Sequence, residues 1–102
     1  MKPLAKICGL TQPQDVEVSI LYGASFLGFI VEAKSSRRLS ISDAATLARP
    51  AHNIIPRVAV TVNADDGLLQ AIMSEMRPDY IQCHGDEDVS RVAEIAKTFR
   101  VK

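Results

Sequence analysis

The stretch Lys6-Ile7-Cys8-Gly9-Leu10-Thr11 decides how the rest of the chain is interpreted. Residues 4–8 are predicted to form a short strand, which the following glycine ends. Thr11 and Pro13 are then predicted to cap and open a helix, because threonine accepts helix N–H groups and proline has none to leave unpaired. This order places Cys8 at the C-terminal end of a strand. In parallel α/β proteins, ligands and catalytic groups collect at that end of the sheet.

The same alternation of strand and helix is predicted to continue along the chain. Apolar runs predict strands at residues 25–31, 57–62 and 80–83, and a fifth strand is predicted to begin near Val101. Helices are predicted at residues 13–22, from Ser40 to about Arg49, from Asp65 or Asp66 to a stop at Pro78, and at residues 87–99. Strict alternation of this kind predicts a parallel sheet with helices packed outside it.

Two closures of such a sheet are compatible with the pattern: an open, doubly wound sheet, or a piece of a (β/α)8 barrel. A complete barrel needs about 200 residues even at its compact end. The 102 residues of this chain suffice for about half of that.

The composition narrows the functional classes. Lysine plus arginine and aspartate plus glutamate each number 12, so the net charge is zero, which disfavours nucleic acid or an anionic membrane as a partner. Apolar residues make up 47% of the chain, enough to form a core. No secretory leader or membrane-spanning run is recognised, so a cytoplasmic location is expected, with Cys8 and Cys83 as free thiols.

Polar side chains are predicted to meet at the C-terminal ends of the strands. The residues that follow the predicted strands are Cys8, then Lys34, Arg37 and Arg38, then Asn63, then His84 and Asp86. A thiol, guanidinium groups, an amide and an imidazole on one rim are the groups that an active site on this architecture would carry.

Each candidate also has a purely structural interpretation. Cys8 suits a small buried position, and Arg37 suits a solvated loop. His84 could brace its turn, and Asn63 could cap the helix after it. Strand alternation places Lys6 on the same side as Cys8, where a structural ion pair is the alternative to a functional role.

A metal site or a nucleotide site is not expected. Cys8, Cys83, His84 and Asp86 include metal-ligating types, but Cys83 and His84 are consecutive and so face opposite sides of a strand. The paired Cys-x-x-Cys or His-x-x-x-His spacing of zinc sites is missing. Neither glycine-rich nucleotide-binding motif occurs.

Five segments, each at a predicted strand end, resemble one enzyme family. They are Lys6-Ile7-Cys8-Gly9-Leu10-Thr11, Gly23-Ala24 leading into Phe26-Leu27-Gly28-Phe29, Lys34-Ser35-Ser36-Arg37, Val60-Thr61-Val62-Asn63, and Gln82-Cys83-His84-Gly85-Asp86-Glu87. In this order they resemble the N-terminal half of phosphoribosylanthranilate isomerase, a (β/α)8-barrel enzyme of tryptophan biosynthesis. The resemblance implies that residues 1–102 form one half-barrel domain of the type (β/α)4.

The resemblance also implies a reaction and a set of site residues. The family carries out an Amadori rearrangement of N-(5-phosphoribosyl)anthranilate to 1-(2-carboxyphenylamino)-1-deoxyribulose 5-phosphate, with no metal or organic cofactor. The family's general base falls on Cys8, and its substrate-binding arginine falls on Arg37. His84 becomes a pocket residue, and Lys6 and Asn63 complete the predicted substrate-binding set.

Parts of the family's active site are expected to be missing from these residues. The general acid is an aspartate at the end of the fifth strand, and the phosphate is bound by loops after the seventh and eighth. Cys83 stands where leucine is usual, and Glu32-Ala33 stands where an aromatic residue or proline is common.

Three functional hypotheses therefore remain open. The chain is half of an isomerase that joins a complementary C-terminal half, or a non-catalytic half-barrel that self-associates or binds a phospho-sugar weakly, or a small thiol or metal protein. The substrate expected under the first hypothesis is the phosphoribosyl compound, and a homo-oligomer is the expected assembly if no complementary half is present.

Overall fold

The structure, a computed structural model, describes residues 6–7, 9–31 and 38–99, apart from the side chains of Lys6 and Phe99. The strands are β1 (Lys6–Ile7), β2 (Phe26–Ile30), β3 (Arg57–Thr61) and β4 (Tyr80–Cys83). The helices are α1 (Pro13–Leu21), α2 (Ile41–Ala48), α3 (Asp66–Glu75) and α4 (Val89–Phe99), with a 3-10 turn at Arg49–Ala51. The predicted alternation is confirmed; the predicted strand near Val101 lies outside the described residues.

The four strands form one parallel sheet in the order β1-β2-β3-β4. Strand β3 is central among the longer strands: Ala59 lies between Phe29 of β2 and Ile81 of β4. Each strand therefore pairs with the next one along the chain, and the order never reverses. A doubly wound sheet would contain such a reversal.

All four helices pack on the same face of the sheet, which we call the outer face. Leu27, Phe29 and Ala59 project to this face and share a buried cluster with Ala44 of α2 and Ile72 of α3. The cluster also contains Val16 of α1, and a second cluster joins Ile95 of α4 to Leu69 of α3. Helices on one face and sequential strand order together define a (β/α)4 half of a barrel, as predicted, and exclude the doubly wound alternative.

The opposite, inner face of the sheet carries the alternate residues. Val58 and Val60 of β3 are each 5% exposed there. The rings of Phe26 and Tyr80 meet edge to face over β3, with centroids 5.6 Å apart and planes at 77°. Strands β2 and β4 are two strand spacings apart, about 9.6 Å. The two rings therefore meet above β3 and cover its N-terminal part on the inner face.

Local sequence signals determine most helix ends. The Ser40 hydroxyl accepts from the N–H of Asp43 at 3.1 Å, and the Asp65 carboxylate accepts from the N–H of Leu68 at 2.8 Å. These two caps fix the helix starts that were predicted at Ser40 and at Asp65 or Asp66. The predicted cap at Thr11 is wrong: Gln12 precedes α1 without a side-chain bond, because Pro13 in the first turn fixes the start of the helix.

Helix α4 departs from its prediction in two ways. It begins at Val89 rather than at Glu87, because the Asp88 carboxylate accepts from the N–H of Arg91 at 2.8 Å. Its buried residue is Ile95, whereas the apolar face made of Val89, Val92, Ala93 and Ala96 is exposed. Val89 is 86% exposed. The helix thus carries an apolar surface that the described residues leave uncovered.

None of the described helices is long and apolar enough to span a membrane.

Candidate functional site

The C-terminal ends of β3 and β4 lie side by side, and the loops that follow them are bonded together. The backbone N–H of His84 donates to the Thr61 carbonyl at 2.8 Å, which extends the pairing of the two strands by one step. We call the edge of the sheet formed by the C-terminal ends of its strands the rim. Asn63 and His84, both predicted as substrate-binding residues, therefore lie on the same rim.

The other predicted site residues are placed only in part. Cys8, the predicted general base, and Arg37 lie outside the described residues, as does Lys34. The backbone of Lys6 pairs with that of Phe26 at the start of β2. Arg38 is exposed, next to a bridge in which the N–H of Leu39 donates to Ile30 at 2.7 Å. Arg38 therefore lies beside the C-terminal end of β2.

Glu87 joins the two strand-end loops, a role that the sequence analysis missed. One carboxylate oxygen accepts from the N–H of Gly85 at 2.8 Å and the other accepts from the N–H of Asn63 at 3.1 Å. The amide oxygen of Asn63 in turn accepts from the N–H of Asp86 at 2.9 Å. The sequence held one signal for this role: the pair Glu87-Asp88 offers two carboxylates before a helix that needs only one cap.

These bonds define the structural role of Asn63. Its backbone is left-handed, with a φ of 49°, a conformation that asparagine tolerates better than most residues. It does not cap α3, since that cap is Asp65. With its oxygen engaged by Asp86, its amide N–H₂ remains the group available to a ligand, so substrate binding by Asn63 stays a prediction.

Arg91 links α4 to the loop after β3. Its guanidinium lies 2.8 Å from the Asp66 carboxylate, donates to the Ala64 carbonyl at 3.0 Å, and also pairs with Glu94. A shallow cavity of about 280 Å³ lies between the linked loops. The charged residues that line it are three carboxylates and one arginine, namely Asp86, Glu87, Asp88 and Arg91. The excess of negative charge makes the cavity unsuited to a phosphate.

The pKa values of Cys83 and Glu87 are shifted in opposite directions. Burial raises the pKa of the Cys83 thiol, and the neighbouring Glu87 carboxylate raises it further, although Arg91 acts in the opposite direction. Burial also acts to raise the pKa of Glu87, but the donors on it, from Gly85, Asn63 and the Cys83 thiol, outweigh that effect and lower it. Cys83 therefore stays a thiol near neutral pH, which is unsuitable for a base or nucleophile.

His84 is free for a ligand within the part of the chain that the structure describes. Its side chain is exposed and its imidazole makes no hydrogen bond to a described residue. The alternative that His84 braces its turn is not supported, because Asn63 and Glu87 brace it instead. Across residues 9–31 and 38–99, no group of three His, Cys, Asp or Glu side chains could hold a metal.

Comparisons with known proteins agree on one family. A family model described as N-(5'phosphoribosyl)anthranilate (PRA) isomerase matches residues 5–102. The N-(5'-phosphoribosyl)anthranilate isomerase of Parvibaculum lavamentivorans is 44% identical over 99 residues, which is 97% of this chain and 46% of that protein. Its counterpart from Caulobacter vibrioides is 47% identical over 93 residues, which is 90% of this chain and 42% of that protein.

A solved structure gives the same result. A phosphoribosyl anthranilate isomerase in complex with reduced 1-(o-carboxyphenylamino)-1-deoxyribulose 5-phosphate superposes with a TM-score of 0.88 and 30% identity. The match covers 98% of this chain and 50% of that one. The chain thus spans about half the length of the relatives it matches.

Substitution of Gly85 tests the link between the loop after β3 and the loop after β4. A Cβ at this position would lie 2.7 Å from the Asn63 amide oxygen and 2.8 Å from a Glu87 oxygen, so Gly85→Ala must displace bonded groups. We expect it to lower the free energy of unfolding by about 1–3 kcal/mol, measured by urea denaturation. Gly67→Ala is the matched control, because its Cβ meets nothing closer than 3.5 Å and alanine favours the helix. Equal stability of the two variants would contradict the link.

The lowered pKa of Glu87 predicts a pH-dependent contribution to stability. Because this pKa lies below the ordinary 4.5 in the folded state, the carboxylate stabilises the fold above that pH and loses its effect as the pH falls through the folded value. Glu87→Gln is expected to be less stable by about 1 kcal/mol at neutral pH, with the difference vanishing as the pH falls through the lowered pKa of the folded state.

Urea denaturation across this pH range measures the difference, and Glu17→Gln is the control. Glu17 is exposed on α1 and makes no side-chain bond to a described residue, so its substitution should leave the pH profile unchanged. A Glu87→Gln profile parallel to that of the unsubstituted chain would exclude the proposed contribution.

Proposed function

Because the chain belongs to the N-(5'-phosphoribosyl)anthranilate isomerase family, we propose that it supplies the N-terminal half of an isomerase active site. The reaction is the Amadori rearrangement of N-(5-phosphoribosyl)anthranilate in tryptophan biosynthesis, and its setting is the cytoplasm. The observation that carries the proposal is the family match over residues 5–102, which spans both described loops of the rim. The rim supports it by presenting the His84 imidazole, which has no partner among the described residues, beside a fixed Asn63.

Cys8 is the general base of the proposed mechanism. It removes the proton from C2′ of the sugar after the ring has opened to a Schiff base, and this requires a thiolate. Nearby positive charge favours the thiolate, and Lys6 and Arg37 supply that charge in the proposed mechanism. Cys83 is excluded from the role by its raised pKa and its position on the outer, helix-covered face.

The substrate is held by groups from several strand ends. Arg37, or Arg38 in its place, pairs with an anionic group of the substrate, and Lys6 acts from β1. His84 and Asn63 form the wall at the ends of β4 and β3. The acidic cavity between their loops does not receive the phosphate, since its carboxylates would repel it.

We further propose that a complementary C-terminal half completes the site. It supplies the aspartate that acts as general acid and the loops that bind the phosphate. The relative from Parvibaculum lavamentivorans is matched over only 46% of its length, which leaves room for both features in the unmatched part. No cofactor takes part in the proposed reaction.

A second candidate function is a self-associating half-barrel, and the exposed apolar surface favours it. Beyond Val89 and Val92 near β4, the region of β1 and α1 exposes further apolar side chains, namely Ile7, Val18, Leu21 and Tyr22. Within the described residues the edges of the sheet are β1 and β4, so a second copy could pair β4 of each chain with β1 of the other. Two copies would supply the eight parallel strands of a closed barrel.

The proposed division of the active site predicts the activity of each part. The chain alone is expected to be inactive, because the absent acid by itself costs about 10²–10⁴-fold in rate. A mixture with the C-terminal half of a full-length relative is expected to recover turnover. The decrease of anthranilate fluorescence as substrate is consumed measures both.

Two variants of the mixture test the assignment of the base. Cys8→Ala should reduce the recovered rate by at least about 10², while Cys83→Ala should keep it, with circular dichroism showing that both variants fold. Turnover by the chain alone would overturn the half-site proposal. Full activity of Cys8→Ala would remove Cys8 from the mechanism.

Self-association predicts a dimer in light scattering of the chain alone. We call the contact between β4 of one copy and β1 of the other the seam. Val89→Lys should raise the dissociation constant of the dimer at least about tenfold, since a charge would be buried or displaced at the seam. Ser74→Lys adds the same charge to an exposed position on α3, away from both sheet edges, and should have no effect. A monomer at all concentrations, or equal effects of both lysines, would exclude the seam.

A further inference from the structure

A second cavity, of about 240 Å³, lies at the N-terminal end of the sheet, opposite the rim that carries His84. Arg57, the first residue of β3, lines it together with Arg49 and His52 from the turn before β3 and Glu75 and Arg77 from the end of α3. Three arginines and a histidine thus face one carboxylate. The proposed isomerase reaction uses none of these groups.

Arg57 is a buried cation with one donor unsatisfied. The residue is 3% exposed, and its terminal nitrogens donate to the carbonyls of Met76 and Arg77. Its Nε lies 3.6 Å from an Asp79 oxygen, too far for a hydrogen bond, and is buried without a partner among the described residues. An unsatisfied N–H on a buried cation is unfavourable unless another group accepts from it.

The remaining basic groups around the cavity have no partner among the described residues. The side chains of Arg49, His52 and Arg77 are exposed, and none makes an ion pair or hydrogen bond to a described residue. Arg77 holds a left-handed backbone, with a φ of 51°, just past the end of α3. Glycine or asparagine is preferred at that position, so Arg77 adopts a backbone conformation that is unfavourable for arginine.

We propose that this cavity binds inorganic phosphate. Guanidinium groups present paired donors that match the oxygens of a tetrahedral oxyanion, and three of them surround one space. The volume lies below the range of about 300–1,000 Å³ that is usual for small-molecule sites, which favours a small ion over a nucleotide. Arg49 and Arg77 hold the ion from the solvent side, and Arg57 supplies the buried charge.

The test is a titration of the ¹⁵N-labelled chain with inorganic phosphate at constant ionic strength, with sodium chloride as the balancing salt. We expect saturable shifts of the Arg57 Nε–H signal and of the backbone signals of Arg49, His52 and Arg77, with a dissociation constant of about 1 mM. Signals from Asn63 and His84, at the opposite end, should not move. Because the isomerase reaction is not measured, failure of this test leaves the proposed function untouched.

Two variants and one control variant identify the arginines that bind phosphate. Arg49→Gln and Arg77→Gln should each weaken phosphate binding about tenfold, and neither disturbs the buried contacts of Arg57. Lys97→Gln removes one exposed cation from α4 and should leave the affinity within twofold. Non-saturating shifts that chloride reproduces, or unchanged affinity in Arg77→Gln, would overturn the proposal.

Discussion

The complete burial of β3 is the constraint on which the rest of the structure depends. All five of its residues are buried, including Arg57 and Thr61. A parallel strand in this position must have partners on both edges, and β2 and β4 supply them. It must also be covered on both faces: helices cover the outer face, and the rings of Phe26 and Tyr80 cover part of the inner one.

The burial of β3 fixes the positions of groups at both of its ends. At the start, the Arg57 guanidinium donates to carbonyls at the end of α3, and the Arg57 backbone N–H donates to the Asp79 carboxylate at 2.9 Å, so strand and helix are held in one arrangement. At the other end the chain leaves β3 through Val62 and reaches Asn63. Glu87 then bonds this loop to the turn after β4. The rim is therefore positioned by the core rather than by the loops alone.

The charge distribution gives the two ends of the sheet different chemistry. The described loops at the rim are rich in carboxylates, with Arg91 as the compensating cation, so the proposed binding of an anionic substrate requires positive groups from elsewhere on the rim. The N-terminal end is basic around Arg57. The exposed apolar residues of α1 and α4 distinguish the half-barrel from a closed sheet, because a closed barrel has no edges left to cover.

The sequence by itself determined the order of the elements, the parallel sheet and the helix starts at Ser40 and at Asp65 or Asp66, because periodicity and capping act over a few neighbouring residues. It also brought Asn63 and His84 to one rim, since both follow strands. It did not reveal the roles of Glu87 or Arg57. Only the tertiary structure decided these, because Glu87 binds Asn63 across 24 residues of chain and Arg57 binds Met76 across 19. These groups become neighbours only when the strands pair.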